Sequence, residues 1–164
     1  MTSQGPGRPH VIEERTADRR HRVLTVGQDN RRAAFRRSPC EARVDLPACP
    51  WRRDAEVGEY PAEAYRLSAR TAYEQSWHQF ACHQSEAAAP VVCAGFLLRG
   101  AGDNMAVRMT QRAGADLSKV RSEVALYDSY REMAEANGVD PEDPALQPCR
   151  GDWYEWLPPL GGEA

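Results

Sequence analysis

Lysine is almost missing from this chain: Lys119 is the only one, and the remaining 20 basic residues are arginines. No apolar run approaches the length of a membrane span, so nothing points to a membrane-embedded protein. The first ten residues, Met1 to His10, carry no apolar core of the kind a signal peptide needs. That favours a cytoplasmic setting with reduced thiols over a disulfide framework. With only 3 Phe among 164 residues the core is expected to be thin, and a bound metal would be a useful staple for it. Reacting groups are scarce too. The glycines between Gly95 and Gly102 lack the Lys-Ser/Thr ending of a phosphate loop, and Glu13-Glu14 and Glu142-Asp143 read as solvated charge in tails. An enzyme is therefore the weaker reading.

Sulfur is what the chain does have. Cys40 and Cys49 precede Pro50-Trp51-Arg52-Arg53, Cys82 stands beside His83, and Cys93 opens Cys93-Ala94-Gly95. Two pairs of soft ligands suit a tetrahedral metal, and four thiolates favour a closed structural site over one with a position open for water. The first pair encloses eight residues, wider than the two to four common in zinc knuckles. Closure entropy grows only with the logarithm of loop length, so a loop of this size can still bring its ends together. The second pair fits a β-hairpin, with Trp77–Cys82 and Val91–Phe96 as strands that set Cys82 opposite Cys93. Neighbours along a strand point to opposite faces, which ranks Cys82 above His83 as a ligand. His83 is then an outer donor or an alternate, and Cys149 an alternate for Cys40. Zinc is the favoured ion, and an iron–sulfur cluster or thiol redox sensor is the alternative that the same donors permit.

Ser38-Pro39-Cys40, Cys49-Pro50-Trp51-Arg52-Arg53-Asp54, Phe80-Ala81-Cys82-His83, Cys93 to Gly100, Asn104 to Arg108 and Asp128 to Ala134 together resemble a family of unknown function found in actinobacteria and their phages. The resemblance spans roughly residues 37 to 150. It implies a small cytoplasmic, zinc-binding domain without an assigned activity, with Cys49, Cys82 and Cys93 carried over as ligands. Proteins of this kind usually carry their first two cysteines as a tight Cys-x-x-Cys, so the eight-residue spacer is a departure.

Charge is unevenly spread. Residues 1–53 hold 12 Arg against 6 Asp or Glu, and residues 54–164 hold 9 basic against 18 acidic residues. Residues 1–36 read as a flexible, Arg-rich arm in which only Val23, Leu24 and Val26 offer a short strand. Such an arm can neutralise phosphates of a nucleic acid, or simply be solvated. Trp51, Arg52 and Arg53 form a second candidate binding corner, for a nucleic acid backbone or an acidic protein partner. The competing reading has Trp51 covering the metal and the arginines pairing with Asp54 and Glu56.

Three helices are expected. The first starts at Pro61 with Tyr65, Ala69, Ala72 and Tyr73 on one face. Asp103 or Asn104 caps the second, with Met105, Ala106, Met109 and Ala113 as its stripe and Gly114 as its stop. The third carries Leu126, Tyr127, Tyr130, Met133 and Ala134 and stops at Asn137-Gly138. The predicted fold is α+β: a metal-stapled domain at 37–150 with a short hairpin and about three helices, an arm at 1–36, and an aromatic, Pro-rich tail at 151–164.

Overall fold

β-branched residues at Val23, Thr25 and Val26 favour an extended chain, and the computed structural model, which describes residues 9–28 and 34–149, places them in a sheet. Strand β1 (Pro9–Thr16) pairs antiparallel with β2 (Arg22–Gln28), and β2 pairs antiparallel with the two-residue β3 (Gln79–Phe80). A register shift between Val11 and Glu13 marks a bulge, and Ile12 within it is left 41% exposed. Residues 9–28, assigned from sequence to a weakly ordered arm, are thus a hairpin. Two features explain the difference. Val26 is fully buried in the core, and two of the hairpin's arginines are matched within it, Arg15 with Glu13 at 2.6 Å and Arg22 with Glu14 at 2.9 Å, while Arg70 from far along the chain also pairs with Glu13. Glu13 and Glu14 are therefore partners within the fold and not free tail charge. Residues 34–36 of the expected arm are also held, with Phe35 bridging to Val92, whereas residues 1–8 and 29–33 and the aromatic tail lie outside the described residues.

Helix α1 (Ala62–Ser68) follows Pro61, whose fixed φ suits a helix entry, and runs into a 3-10 turn at Ala69–Ala72. Of its expected inner face, Tyr65, Ala69 and Ala72 are buried, but the α-helix ends at Ser68 and Tyr73 is extended and only half-buried. The second expected strand does not extend to Phe96. Val91–Cys93 passes beside Phe80–Cys82 through a single antiparallel bridge, Ala81 to Val92, and the chain then turns into α2 (Ala94–Arg99). Helical winding puts Ala94, Gly95 and Phe96 together against the core, which a strand's alternating faces would have separated. The described residues consequently hold four α-helices.

Helix α3 (Met105–Arg112) is capped by Asn104, whose side-chain oxygen accepts from the Val107 N–H at 3.1 Å. Its buried stripe is Ala106, Val107 and Thr110; Met105 and Met109 are only half-buried and Ala113 is exposed, so the expected face is rotated. Helix α4 (Tyr130–Ala136) is capped by Ser129 and closes at Asn137-Gly138, where Gly138 takes a φ of 94°. Leu126 and Tyr127 are buried as expected but precede the helix.

Trp51 is the centre of the core. Its ring meets Phe80 and Tyr130 edge-on at 6.0 and 5.9 Å between centroids. A Cβ at Gly100 would lie 2.6 Å from the Trp51 ring, and one at Gly95 would overlap Trp51 Cβ, so both glycines are required by close approach. The Tyr130 hydroxyl donates to the Tyr65 carbonyl at 2.5 Å and accepts from Ser68 at 2.7 Å, tying α4 to α1. No helix among the described residues is long and apolar enough to cross a membrane.

Candidate metal centre

The eight residues between Cys40 and Cys49 fold as a small finger. The Cys49 N–H donates to the Cys40 carbonyl at 2.9 Å, closing the base. Arg43 and Leu46 exchange both backbone bonds, at 2.8 and 3.0 Å, around a two-residue turn at Val44 and Asp45, where Asp45 takes a φ of 62°. Asp tolerates this left-handed region better than most residues, and a turn whose second central residue has positive φ demands it. The wide spacer thus brings its two cysteines together as a tight knuckle would.

Across from the finger, the Cys82 N–H donates to Val91 O at 2.7 Å and the Cys93 N–H to Phe80 O at 2.9 Å. These bonds hold the second pair on adjacent segments. Finger and bridge then meet through sulfur: Cys40 Sγ lies 3.5 Å from Cys82 Sγ, and Cys49 Sγ lies 3.6 Å from Cys93 Sγ. The four cysteines therefore occupy the corners of a quadrilateral. Two of its sides are backbone contacts and two are sulfur contacts. Among the described residues no three His, Cys, Asp or Glu side chains converge into a ready-made metal cage, so the sulfurs meet as two pairs and not at one point.

Burial and neighbouring thiols divide the four electrostatically. Burial, and then the adjacent Cys82, push the Cys40 thiol up to about 11. The thiol of Cys93 donates to Cys49 and holds it below its ordinary value, whereas desolvation raises Cys93 itself. The Arg36 Nε–H donates to Cys82 Sγ at 3.3 Å, a charge-assisted contact suited to an anionic sulfur. Arg36 was not singled out from sequence because it stood among the arginines of the supposed arm, with no spacing signal to separate it.

His83 stands outside the sulfur set. Its Nε2 bonds the Pro47 carbonyl at 2.5 Å, and its ring meets Tyr60 edge-on at 5.5 Å. It steadies the finger. Cys149 is remote in its contacts: it is buried, its Sγ faces Ala69 O at 3.7 Å, and burial pushes its thiol up to about 12. Its backbone bridges to Tyr73, so it does not join the other four. The Trp51, Arg52 and Arg53 corner is committed internally. Trp51 has no exposed surface on which a base could stack. Arg52 grips Asp54 with two bonds of 2.7 and 2.8 Å. Arg53 donates to Leu126 O at 2.9 Å, pairs with Asp128 and Glu132, and lies 5.2 Å over the Tyr127 ring. Its partners come from α4 and the segment before it, not from Glu56.

A family of unknown function, DUF6283, matches residues 35–150, most of the chain and all of the quadrilateral. The chain belongs to this family. No curated protein and no solved structure matches it. The DUF6283 segment begins one residue before Arg36 and ends one residue after Cys149, so it includes the finger, the bridge and all four helices but not the β1–β2 hairpin.

Proposed function

We propose that this DUF6283 chain is a small zinc-stapled interaction module in which Cys40, Cys49, Cys82 and Cys93 hold one structural zinc, and which contacts nucleic acid through its Arg-rich N-terminal side. The observation that carries the metal is the pair of sulfur contacts at 3.5 and 3.6 Å. Four thiolates at about 2.3 Å from one zinc lie about 3.8 Å from each other, so each existing pair already has nearly the separation of two ligands on a shared ion. Binding one ion requires the two pairs to come together, and the Cys49-to-Cys40 backbone bond already holds the finger's two cysteines side by side for that step. Four thiolates carry a formal charge of −4 against +2 on the ion, and the Arg36 guanidinium offsets part of the excess. Deprotonating Cys40 and Cys93 against their raised values makes binding release protons and weaken in acid. With every position filled by sulfur, such a zinc stabilises the fold and does not activate water.

For the partner, with Arg52 and Arg53 committed internally, we favour the exposed β1–β2 turn as the basic contact surface. Arg19 and Arg20 are exposed there and form no ion pair among the described residues. Cations of this kind bind a phosphate backbone by releasing its counterions, and the acidic remainder of the chain repels polyanions elsewhere.

Elemental analysis of the anaerobically purified chain tests the metal. One zinc per chain and no visible absorption is the expected result; a brown protein containing iron and sulfide would put an iron–sulfur cluster in its place, and a metal-free folded protein would reject both. Titration with single-stranded and duplex oligonucleotides tests the partner. Affinity should fall steeply with salt and drop on changing Arg19 and Arg20 to Ala; absence of binding at low salt rejects the nucleic acid contact, with an acidic protein as the remaining occupant.

A further inference from the structure

We infer that the two sulfur pairs are chemically unequal, and that Cys40 and Cys82 are the oxidation point of the centre, closing to a disulfide when a hydroperoxide reaches them while Cys49 and Cys93 remain thiols. This deepens the metal reading and rests on it for one readout, zinc release. The disulfide itself does not require zinc.

Access separates the pairs. Cys40 alone of the four is only half-buried. Cys82, with Ala81, His83 and Ser85, lines a cavity of about 670 Å³ whose rim carries the exposed Arg20 and Arg22. Cys49 and Cys93 are 2% and 3% exposed and line neither this cavity nor the neighbouring one of about 470 Å³ on the other side of the finger. They lie where the Trp51 segment meets the start of α2, behind the core. A small oxidant entering by the cavity or from the finger's outer side therefore reaches the Cys40 and Cys82 pair first.

Chemistry favours the same pair. The Arg36 Nε–H donates to Cys82 Sγ at 3.3 Å, and the same sulfur faces Cys40 Sγ. At 3.5 Å the two sulfurs are within reach of bond formation by side-chain rotation. The Cys40 sulfur gives an electron pair to one peroxide oxygen as the O–O bond breaks, and the departing hydroxide takes the Cys40 thiol proton to become water. Cys40 is then a sulfenic acid. The Cys82 sulfur attacks the Cys40 sulfur, the S–O bond breaks, and the departing hydroxide takes the Cys82 thiol proton and leaves as water. In sum, two thiols and one hydrogen peroxide give one disulfide and two waters. A zinc held by all four sulfurs loses two of them in this step and leaves.

The test uses the full chain exposed to graded hydrogen peroxide, alkylated, and mapped by mass spectrometry without reduction, with zinc followed by a chromogenic chelator. The expected first and main product links Cys40 to Cys82, in step with zinc release, and a dithiol reductant restores the binding of added zinc. First formation of a Cys49–Cys93 link or of any other pairing, or sulfinic and sulfonic acids on Cys40 without a disulfide, overturns the inference. Zinc content before oxidation separates the two proposals: a chain purified without zinc defeats the metal reading, while its disulfide map still decides this one. Cys82→Ser gives a second measurement, in which a dimedone-type probe should label Cys40 severalfold more than in the wild type. Where that variant does not fold, the wild-type map stands as the deciding result.

Discussion

Between Cys40 and Cys49 the finger leaves Val44 89% and Leu46 40% exposed, whereas Trp51, two residues beyond its base, is completely buried among Phe80, Phe96, Tyr130 and the glycines of α2. The finger has few apolar contacts to hold it. It depends on backbone bonds at its base and tip, on the His83 contact to Pro47, and on sulfur. The Trp51 region needs none of these, since burial of large side chains at close packing stabilises it directly. The contrast teaches that a chain with a small aromatic inventory can concentrate it at one point and leave a second region to be fixed by a different kind of contact.

The largest expected effect comes from removing the proposed zinc. Apparent zinc-binding energies in small zinc modules run to roughly 10–16 kcal/mol at neutral pH, so a strong chelator or Cys49→Ser should lower the melting temperature sharply, whereas Cys149→Ser should leave one zinc per chain. Calorimetry with and without chelator checks this, and identical melting curves would break the comparison. Trp51→Ala should come next, at about 3–5 kcal/mol, because its neighbours cannot collapse fully into the space. Denaturant melts of the metal-loaded variant measure it. If zinc stoichiometry falls together with stability, the two regions are less separate than their contacts suggest.

Tyr130→Phe sharpens the core side by leaving the Tyr65 carbonyl and the Ser68 hydroxyl without their shared partner, at about 1–3 kcal/mol. Zinc affinity should be unchanged. The smallest effect concerns His78, whose Nδ1 meets Thr25 Oγ1 at 2.8 Å and whose ring is held below its ordinary value by burial and then by Arg70. The unfolded chain takes up this proton first as pH falls. Its contribution is therefore complete above about pH 6.5 and is lost on acidification below it. His78→Gln should flatten that part of the stability profile, read by melts between pH 5 and 7.

Helix positions were legible wherever a local stop or cap was recognised: Pro61, Asn104 and Asn137-Gly138 mark observed ends or lie next to them, whereas the start of the last helix at Ser129 was placed too early. The hairpin at 9–28 was not legible. Its arginines resemble a solvated arm unless Glu13 and Glu14 are known to lie beside them, and that proximity depends on strand register and on Arg70 far along the chain. The helix after Cys93 was hidden for a related reason, because an apolar run of six fits a strand or a helix until Trp51 supplies the surface it must cover. The four cysteines were legible as a group from composition and order, and the structure brings them together as two pairs; their sharing of one metal is a proposal. The finger that joins the first two was not legible, since its tip rests on a left-handed Asp45 and a backbone exchange that no residue pattern announces. Of the two readings of Trp51, Arg52 and Arg53, the internal pairing of the arginines is the one the contacts favour: Trp51 is buried, and both arginines pair with carboxylates of the same chain.

Because the Cys49-to-Cys40 backbone bond fixes the finger at its base, the turn at Val44 and Asp45 can change length without shifting the sulfurs. Lengthening a loop already closed at its ends adds only about 0.6 kcal/mol per doubling. The tip is thus a natural grafting point: a foreign peptide spliced between Val44 and Asp45 would be displayed clear of the core, and its length could be varied freely while the anchoring cysteines stayed in place.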